Sequence, residues 1–186
     1  MTLIQYPQGQ NDPEIVRQIV ALESTAWPQD GEDEAFPLAP NTYVTSFVLM
    51  DEGRAICHVG IRKSDLHHKG QCYLAYGLSE VVTHPCRQNQ GLASGLIQKA
   101  AQFILEQHPD LSIFTCEPGR VPLYTRGGWQ ATEGACFVGG TREKPFRSDS
   151  LHLSTMIRFI SPHAIRHRAD FENTDIVFEL GENQLW

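Results

Sequence analysis

No C-x-x-C pair occurs among the five cysteines, Cys57, Cys72, Cys86, Cys116 and Cys136. Their odd number and wide spacing signal neither a disulfide framework nor a zinc site. No apolar run approaches the roughly 20 residues that span a bilayer, and the segment from Met1 has no basic region followed by an apolar core. The expectation from these absences is a chain without metal and without a membrane partner, working in a reducing cytoplasm. Basic residues are also scarce: Lys plus Arg total 15 against 22 for Asp plus Glu, a formal net charge of −7. That balance disfavours nucleic acid and favours a cationic partner. Internal repeats, low-complexity tracts and long like-charge blocks are missing as well. What is present is ordinary, 186 residues of which 41% are apolar, enough for one domain with its own core.

Asp12-Pro13 is a helix start, and Ile15, Ile19 and Leu22 follow at helical spacing, which predicts a helix to about Trp27. Pro28 to Pro40, with three prolines and the acids Asp30, Glu32, Asp33 and Glu34, reads as loop. Strands are expected at Tyr43 to Met50, Ala55 to Arg62 and, after a polar turn at Lys63 to Gly70, Gln71 to about Thr83; their short connections make an antiparallel meander. A longer helix should open near Gln90 or Gly91 and end at His108-Pro109-Asp110. Beyond it come a strand at Leu111 to Cys116, a helical turn at Arg120 to Thr125 stopped by Gly127-Gly128, and strands at Cys136 to Gly139 and Leu151 to Phe159. Strand, helix and strand in succession suggest a crossover onto a mixed sheet, an α+β arrangement. Residues 1–160 read as the core and 161–186 as a C-terminal arm, in which Ile176-Val177-Phe178 is an edge strand or docked arm.

The stretch Leu78-Ser79-Glu80-Val81-Val82-Thr83-His84-Pro85-Cys86-Arg87-Gln88-Asn89-Gln90-Gly91-Leu92-Ala93-Ser94 joins a strand to a helix. Gly91 and Ala93 keep the entry to that helix small, so free backbone N–H groups can face an anion closely. A diphosphate suits the place, because helix dipole and amides hold negative charge without a basic patch. Other phosphate motifs, G-x-x-x-x-G-K-[ST] and G-x-G-x-x-G, are not there. Ser94 is no nucleophile elbow either, since Leu92 and Leu96 stand where glycines are required.

Gln88-x-x-Gly91-x-Ala93, after an apolar strand and His84-Pro85, resembles the Q/R-x-x-G-x-G/A signature of the GNAT superfamily of N-acetyltransferases. Leu123-Tyr124-Thr125-Arg126-Gly127-Gly128-Trp129 resembles the L-Y-x-x-x-G-[FW] element of the same superfamily, at the expected distance. The resemblance implies a mixed central sheet flanked by helices, with a strand-to-helix loop for the pyrophosphate of acetyl-CoA. Val81, Val82 and Thr83 would run along the pantetheine arm. Arg87, Gln88, Asn89, Gln90, Gly91, Leu92, Ala93 and Ser94 would form the pyrophosphate site, Arg87 through a charge-assisted contact. Thr83 stands where the family usually has an apolar residue.

Acetyl transfer to an amine needs a neutral amine, a polarised carbonyl and a proton for the departing thiolate. Glu80 is the candidate base, acting through water. The family alignment places Ser79 where a related subgroup has its carboxylate, so either a strand bulge presents Glu80 or Ser79 orders a water. Tyr124 is the candidate acid, against an alternative of aromatic packing. Cys116 reads as a buried strand cysteine rather than an acyl carrier, His58 as packing or substrate wall, and His67-His68 as exposed turn residues.

The early acidic loop, the Ser148-Asp149-Ser150 turn and the final Trp186 are similar to features of the aminoglycoside 2'-N-acetyltransferase group. That resemblance implies a polycationic sugar as acceptor, met by Asp149 and the Trp186 carboxylate, with Asp33 and Glu34 as further acids. Two other readings stay open. One is a peptide or protein N-acetyltransferase, whose tail fills the pocket or makes a homodimer contact; the other is a non-catalytic CoA-binding sensor.

Overall fold

In the computed structural model, which describes residues 1–28, 36–37 and 39–186, Asp12 accepts hydrogen bonds from the amides of Glu14 (3.0 Å) and Ile15 (3.3 Å). With Pro13 at the first helical position, this cap starts helix α1, Pro13–Glu23. The helix stops four residues before the expected Trp27. Ser24 and Thr25 turn their hydroxyls back onto the carbonyls of Val20 (2.8 Å) and Leu22 (2.7 Å), the local bonding by which such residues compete with helix. Asp33 and Glu34 lie outside the described residues.

The strands are β1 (Thr2–Pro7), β2 (Tyr43–Asp51), β3 (Arg54–His68), β4 (Gln71–Thr83), β5 (Leu111–Cys116), β6 (Gln130–Ala131), β7 (Cys136–Gly140), β8 (Pro145–Arg147), β9 (Ser154–Phe159) and β10 (Asp175–Val177); the other helices are α2 (Leu92–Glu106), α3 (Val121–Thr125) and α4 (Pro162–Arg166). The chain divides into two units, residues 1–62 with 78–100 and residues 63–77 with 101–186.

In the first unit the strand order is β1-β2-β3-β4. β1, which the sequence reading leaves out, pairs antiparallel with β2 from Thr2↔Met50 to Pro7↔Thr45. β2 pairs antiparallel with β3, setting Val48 opposite His58 and Ser46 opposite Gly60. Helix α1 lays Ile19 and Leu22 on Val48, Met50, Ala55 and Val82, the apolar burial that holds this layer together.

In the second unit β4 is parallel to β5 at Ala75↔Leu111 and Tyr76↔Ser112, and the order continues β5-β9-β6 with β9 antiparallel to both neighbours. Parallel beside antiparallel pairing makes this a mixed sheet, as expected. A three-stranded sheet, β10-β7-β8, accompanies it, with β10 parallel to β7. Trp129 is fully buried against Phe114 and donates from Nε1 to Ser112 Oγ at 3.0 Å. The arm of residues 161–186 belongs to this unit. Its end crosses β7, where Gly140 N–H donates to Gln184 O at 3.0 Å, and reaches β5, where Thr115 N–H donates to Trp186 O at 2.7 Å.

β3 runs through the stretch Lys63 to Gly70 that reads as a polar turn. Leu66 and His68 are buried while Lys63, Asp65 and His67 are exposed, a period of two masked by the polar composition. The turn itself is only Lys69-Gly70, both at positive φ. His68 is therefore not exposed: it contacts Asp170 O at 2.8 Å and packs on Phe171. The strand expected from Leu151 begins instead at Ser154, because Asp149–Leu151 form a single 3-10 turn and His152 is left-handed (φ 55°). No described helix is long and apolar enough to cross a membrane.

Candidate active site

After Thr83, Pro85–Arg87 make one 3-10 turn, and Asn89 (φ 61°) and Gly91 (φ 77°) take left-handed backbone before α2 begins. Glycine suits Gly91 because an L side chain is strained at that φ. The Gly91 carbonyl accepts the Gly95 N–H at 3.1 Å, the first helical bond. Among the described residues the amides of Leu92, Ala93 and Ser94 have no acceptor, and a Cβ built on Gly91 meets nothing within 4 Å. Free donors, open space and the positive end of a 15-residue helix fit a diphosphate. The Gln88 side chain donates to Thr83 O (3.3 Å) and so ties the turn to the strand. Arg87 is paired with Asp51, which shares its charge with the Met1 amine at 3.7 Å. Thr83 Oγ1 lies 3.1 Å from Cys57 Sγ, so its side chain is engaged with β3.

Within β4, Glu80 itself takes left-handed backbone, φ 47°. Beside this irregularity the Glu80 carboxylate lies over Gly60 of β3. Gly60 makes the crossing feasible: a Cβ there would lie 2.5 Å from Glu80 Oε2 and 3.0 Å from Ser79 O. The carboxylate meets the guanidinium of Arg62, and Ser79 Oγ donates to its other oxygen. Arg62, only 3% exposed, also donates from Nε to Ser79 Oγ (2.9 Å) and from Nη1 to Ala39 O (2.8 Å). Ser79 and Glu80, alternatives by sequence, are thus parts of one hydrogen-bonded group.

Beside it stands a second polar group. His58, fully buried on β3, has Nε2 2.7 Å from Ser46 Oγ and Nδ1 3.0 Å from Oε1 of Glu23, the last residue of α1. Tyr43 OH donates to Tyr6 O at 2.6 Å and lies 3.1 Å from Ser46 Oγ. Burial pushes the Glu23 carboxyl above the usual carboxylate range, partly offset by His58, and pushes Tyr43 up to about 12. Arg62 and Glu23 escape sequence reading because only the register of β3 and the end of α1 bring them here.

In the second unit Tyr124, on α3, is buried and packs edge-on to Phe114 with ring centroids 4.8 Å apart. Burial, with a smaller contribution from Cys116, keeps its hydroxyl protonated far above the usual phenol range. Cys116 is buried, and its burial together with neighbouring Glu117 pushes its thiol up to about 11, so a thiolate acyl carrier is disfavoured there. Asp149 is gripped at both oxygens by Arg147 (3.0 and 2.8 Å), which also holds Asp175. The Trp186 ring is buried against Phe178 and Gly77, and its main-chain oxygen is held by the Thr115 amide and hydroxyl.

Residues 12–132 match the profile of the acetyltransferase (GNAT) domain. The chain belongs to the GNAT acetyltransferase family. The GNAT fold is that of acyltransferases that draw on acetyl-CoA, and the open amides at the start of α2 fit that group. No curated protein matches the chain. Among solved structures it is similar to Escherichia coli ElaA, at 13% identity and TM-score 0.61 over 84% of this chain and 98% of that one. An aminoglycoside 6'-N-acetyltransferase complexed with coenzyme A is similar at 13% identity and TM-score 0.56, over 86% of this chain and 98% of that one. A probable N-acyltransferase from Enterococcus faecalis matches at 18% identity and TM-score 0.56 over 71% of this chain; the chain spans only 33% of that protein. At these identities the likenesses speak for the GNAT fold.

Proposed function

We propose that this GNAT chain is an N-acetyltransferase that moves acetyl from acetyl-CoA to a primary amine of a small cationic acceptor. An aminoglycoside is the finer proposal. The observation that carries the reading is Glu80, a left-handed residue inside the cofactor strand whose carboxylate is delivered over Gly60. Strained non-glycine backbone of this kind persists where surrounding contacts over-determine it, as Arg62 and Ser79 do here.

Bound acetyl-CoA supplies the acetyl group as an activated thioester. The amides of Leu92, Ala93 and Ser94, with Gln90 and Gly91, would hold its diphosphate, and the main chain of Val81, Val82 and Thr83 its pantetheine arm. Tyr124, which the family resemblance makes the acid for the leaving sulfur, has a hydroxyl that burial keeps protonated. Glu80, paired with Arg62, offers carboxylate oxygens that can accept a hydrogen bond from an amine or from a water beside it. Asp149 is held by Arg147 and Glu80 by Arg62, so among the acids that the aminoglycoside reading draws on, Asp149, the Trp186 carboxylate, Asp33 and Glu34, Asp149 has first to leave its arginine. The aminoglycoside proposal takes support from the similarity to the aminoglycoside 6'-N-acetyltransferase and from the net charge of −7.

Acetyl-CoA-dependent thiol release, measured with aminoglycosides, polyamines and short peptides in parallel, tests the proposal. Turnover with the first two classes is expected. Turnover confined to peptides would move the acceptor to a polypeptide amine, and CoA binding without turnover for any amine would overturn the enzyme reading.

A further inference from the structure

Arg87 closes the short turn after β4, with four residues between it and Leu92, the first residue of α2. Its backbone is fixed: Arg87 N–H donates to His84 O at 2.8 Å, and His84 N–H donates to Ile56 O of β3 at 2.9 Å. The side chain is less settled. Its Nη2 is paired with Asp51, the last residue of β2, whereas its Nε is shut off from solvent with no acceptor among the described residues. A buried N–H without an acceptor is costly. The guanidinium is thus held on one side, short of the two-pronged contact for which its fork is shaped. Arg87 is also the sole Lys or Arg between Leu78 and Ser94.

We infer that Asp51 sets the strength of the cofactor site by competing with the diphosphate of acetyl-CoA for Arg87, so that binding transfers the guanidinium from carboxylate to phosphate. This rests on acetyl-CoA being seated on the open amides of Leu92, Ala93 and Ser94. A diphosphate arriving there meets a cation that a carboxylate already neutralises. The pair is open enough to water to part, with 34% of the Arg87 side chain and 28% of the Asp51 side chain exposed, and pairs of that kind hold weakly. Phosphate oxygens, by contrast, can take both prongs of the fork. Asp51 is not stranded by the exchange. Water reaches it, its Oδ1 faces the Met1 amine at 3.7 Å, and Arg54 is its partner across the β2–β3 pair. The diphosphate is common to acetyl-CoA and to the product CoA, so a tighter hold on it would bind both alike and delay departure of the product without favouring the transition state. Asp51 is in this sense a positioning residue that keeps release of CoA fast.

Calorimetry of the full chain with CoA and with dephospho-CoA, which lacks the 3'-phosphate, tests this without any acceptor. Asp51→Asn should bind both about fivefold more tightly, the upper end for loss of an exposed pair. Its affinity should also fall more steeply with salt than that of the wild type, because the freed charge is screened. Asp51→Glu, which keeps the carboxylate, should bind as the wild type does. Arg87→Gln should bind about tenfold more weakly, and Arg87→Lys, with the charge but not the fork, should fall between. Adding Asp51→Asn to Arg87→Gln should change little, since nothing is left to compete for. Stopped-flow release of CoA should slow in Asp51→Asn by the factor its affinity gains. Equal tightening with and without Arg87 would mean that Asp51 acts by its own charge, and weaker binding by Asp51→Asn would make the pair an anchor of the turn; either overturns the inference and leaves the acetyltransferase reading standing. A change seen with CoA but not with dephospho-CoA overturns the assignment to the diphosphate. If the wild type binds neither molecule, acetyl-CoA use by this chain fails and the inference falls with it.

Discussion

Two arginines each hold carboxylates in this protein, and their surroundings give them opposite characters. Arg62, in the first unit, is 3% exposed and ties Glu80, Ser79 and the Ala39 carbonyl together beneath a strained strand residue. Arg147, in the second unit, spans Asp149 and Asp175 at the surface, with all three side chains between 37% and 55% exposed. In water the second arrangement gains little, because solvent screens the charges and two long side chains lose freedom. In the interior the first arrangement becomes indispensable once built, because either partner left alone is an uncompensated charge. The same chemistry is a surface clasp in one place and a buried tie beneath a candidate site in the other.

Substitutions can set the two against each other. Arg62→Met is expected to have the largest effect, about 3 kcal/mol lost in urea denaturation with loss of turnover; a loss below about 1 kcal/mol would make this arginine as dispensable as a surface one. Next comes Tyr124→Phe in the second unit. It should lower kcat about 100-fold with an unchanged denaturation midpoint, since the ring packing on Phe114 is kept; equal kcat would reduce Tyr124 to packing. Gly60→Ala should follow, at about 2 kcal/mol, because the Ser79 carbonyl cannot withdraw as the Glu80 side chain can. A crystal structure of that variant with Glu80 unmoved would contradict the account of the crossing. Arg147→Met should matter least, with near-normal stability and turnover.

Its pH dependence sharpens the contrast. Hydrogen bonds from Arg147 hold the Asp149 and Asp175 carboxyls below the usual carboxylate range. Groups depressed in the folded state lend stability above their unfolded value, about 3.9, and lose it as pH falls through the folded values. Any gap between wild type and Arg147→Met should therefore be present above about pH 4 and close below it. Thermal melts from pH 2 to 7 would check this, and a gap that widens in acid would reverse the assignment.

What could be read from the sequence was local. Gln88, Gly91 and Ala93 stand close together in the chain, so spacing alone expresses the candidate anion site, and Asp12-Pro13 announces α1 within three residues. β1 has only six residues at an edge, and the polar half of β3 hides its alternation behind Lys63, Asp65 and His67. The site was half legible for the same reason. Glu80 and Ser79 adjoin the signature and were in view, but the choice between them dissolves once Arg62, 18 positions from Glu80, bonds to both. Glu23 and His58 meet across 35 positions through the packing of α1 on β3, which no motif encodes.

The docking of the tail on β5 gives the molecule a built-in clock. The Thr115 amide is bonded to Trp186 O at 2.7 Å and not to a neighbouring strand. Its hydrogen can leave for solvent only when the last residues lift, whereas amides bonded between β5 and β9 wait for the sheet to open. Deuterium uptake at that single amide, compared with uptake at the β5–β9 amides, would show whether residues 184–186 release β5 before the sheet opens.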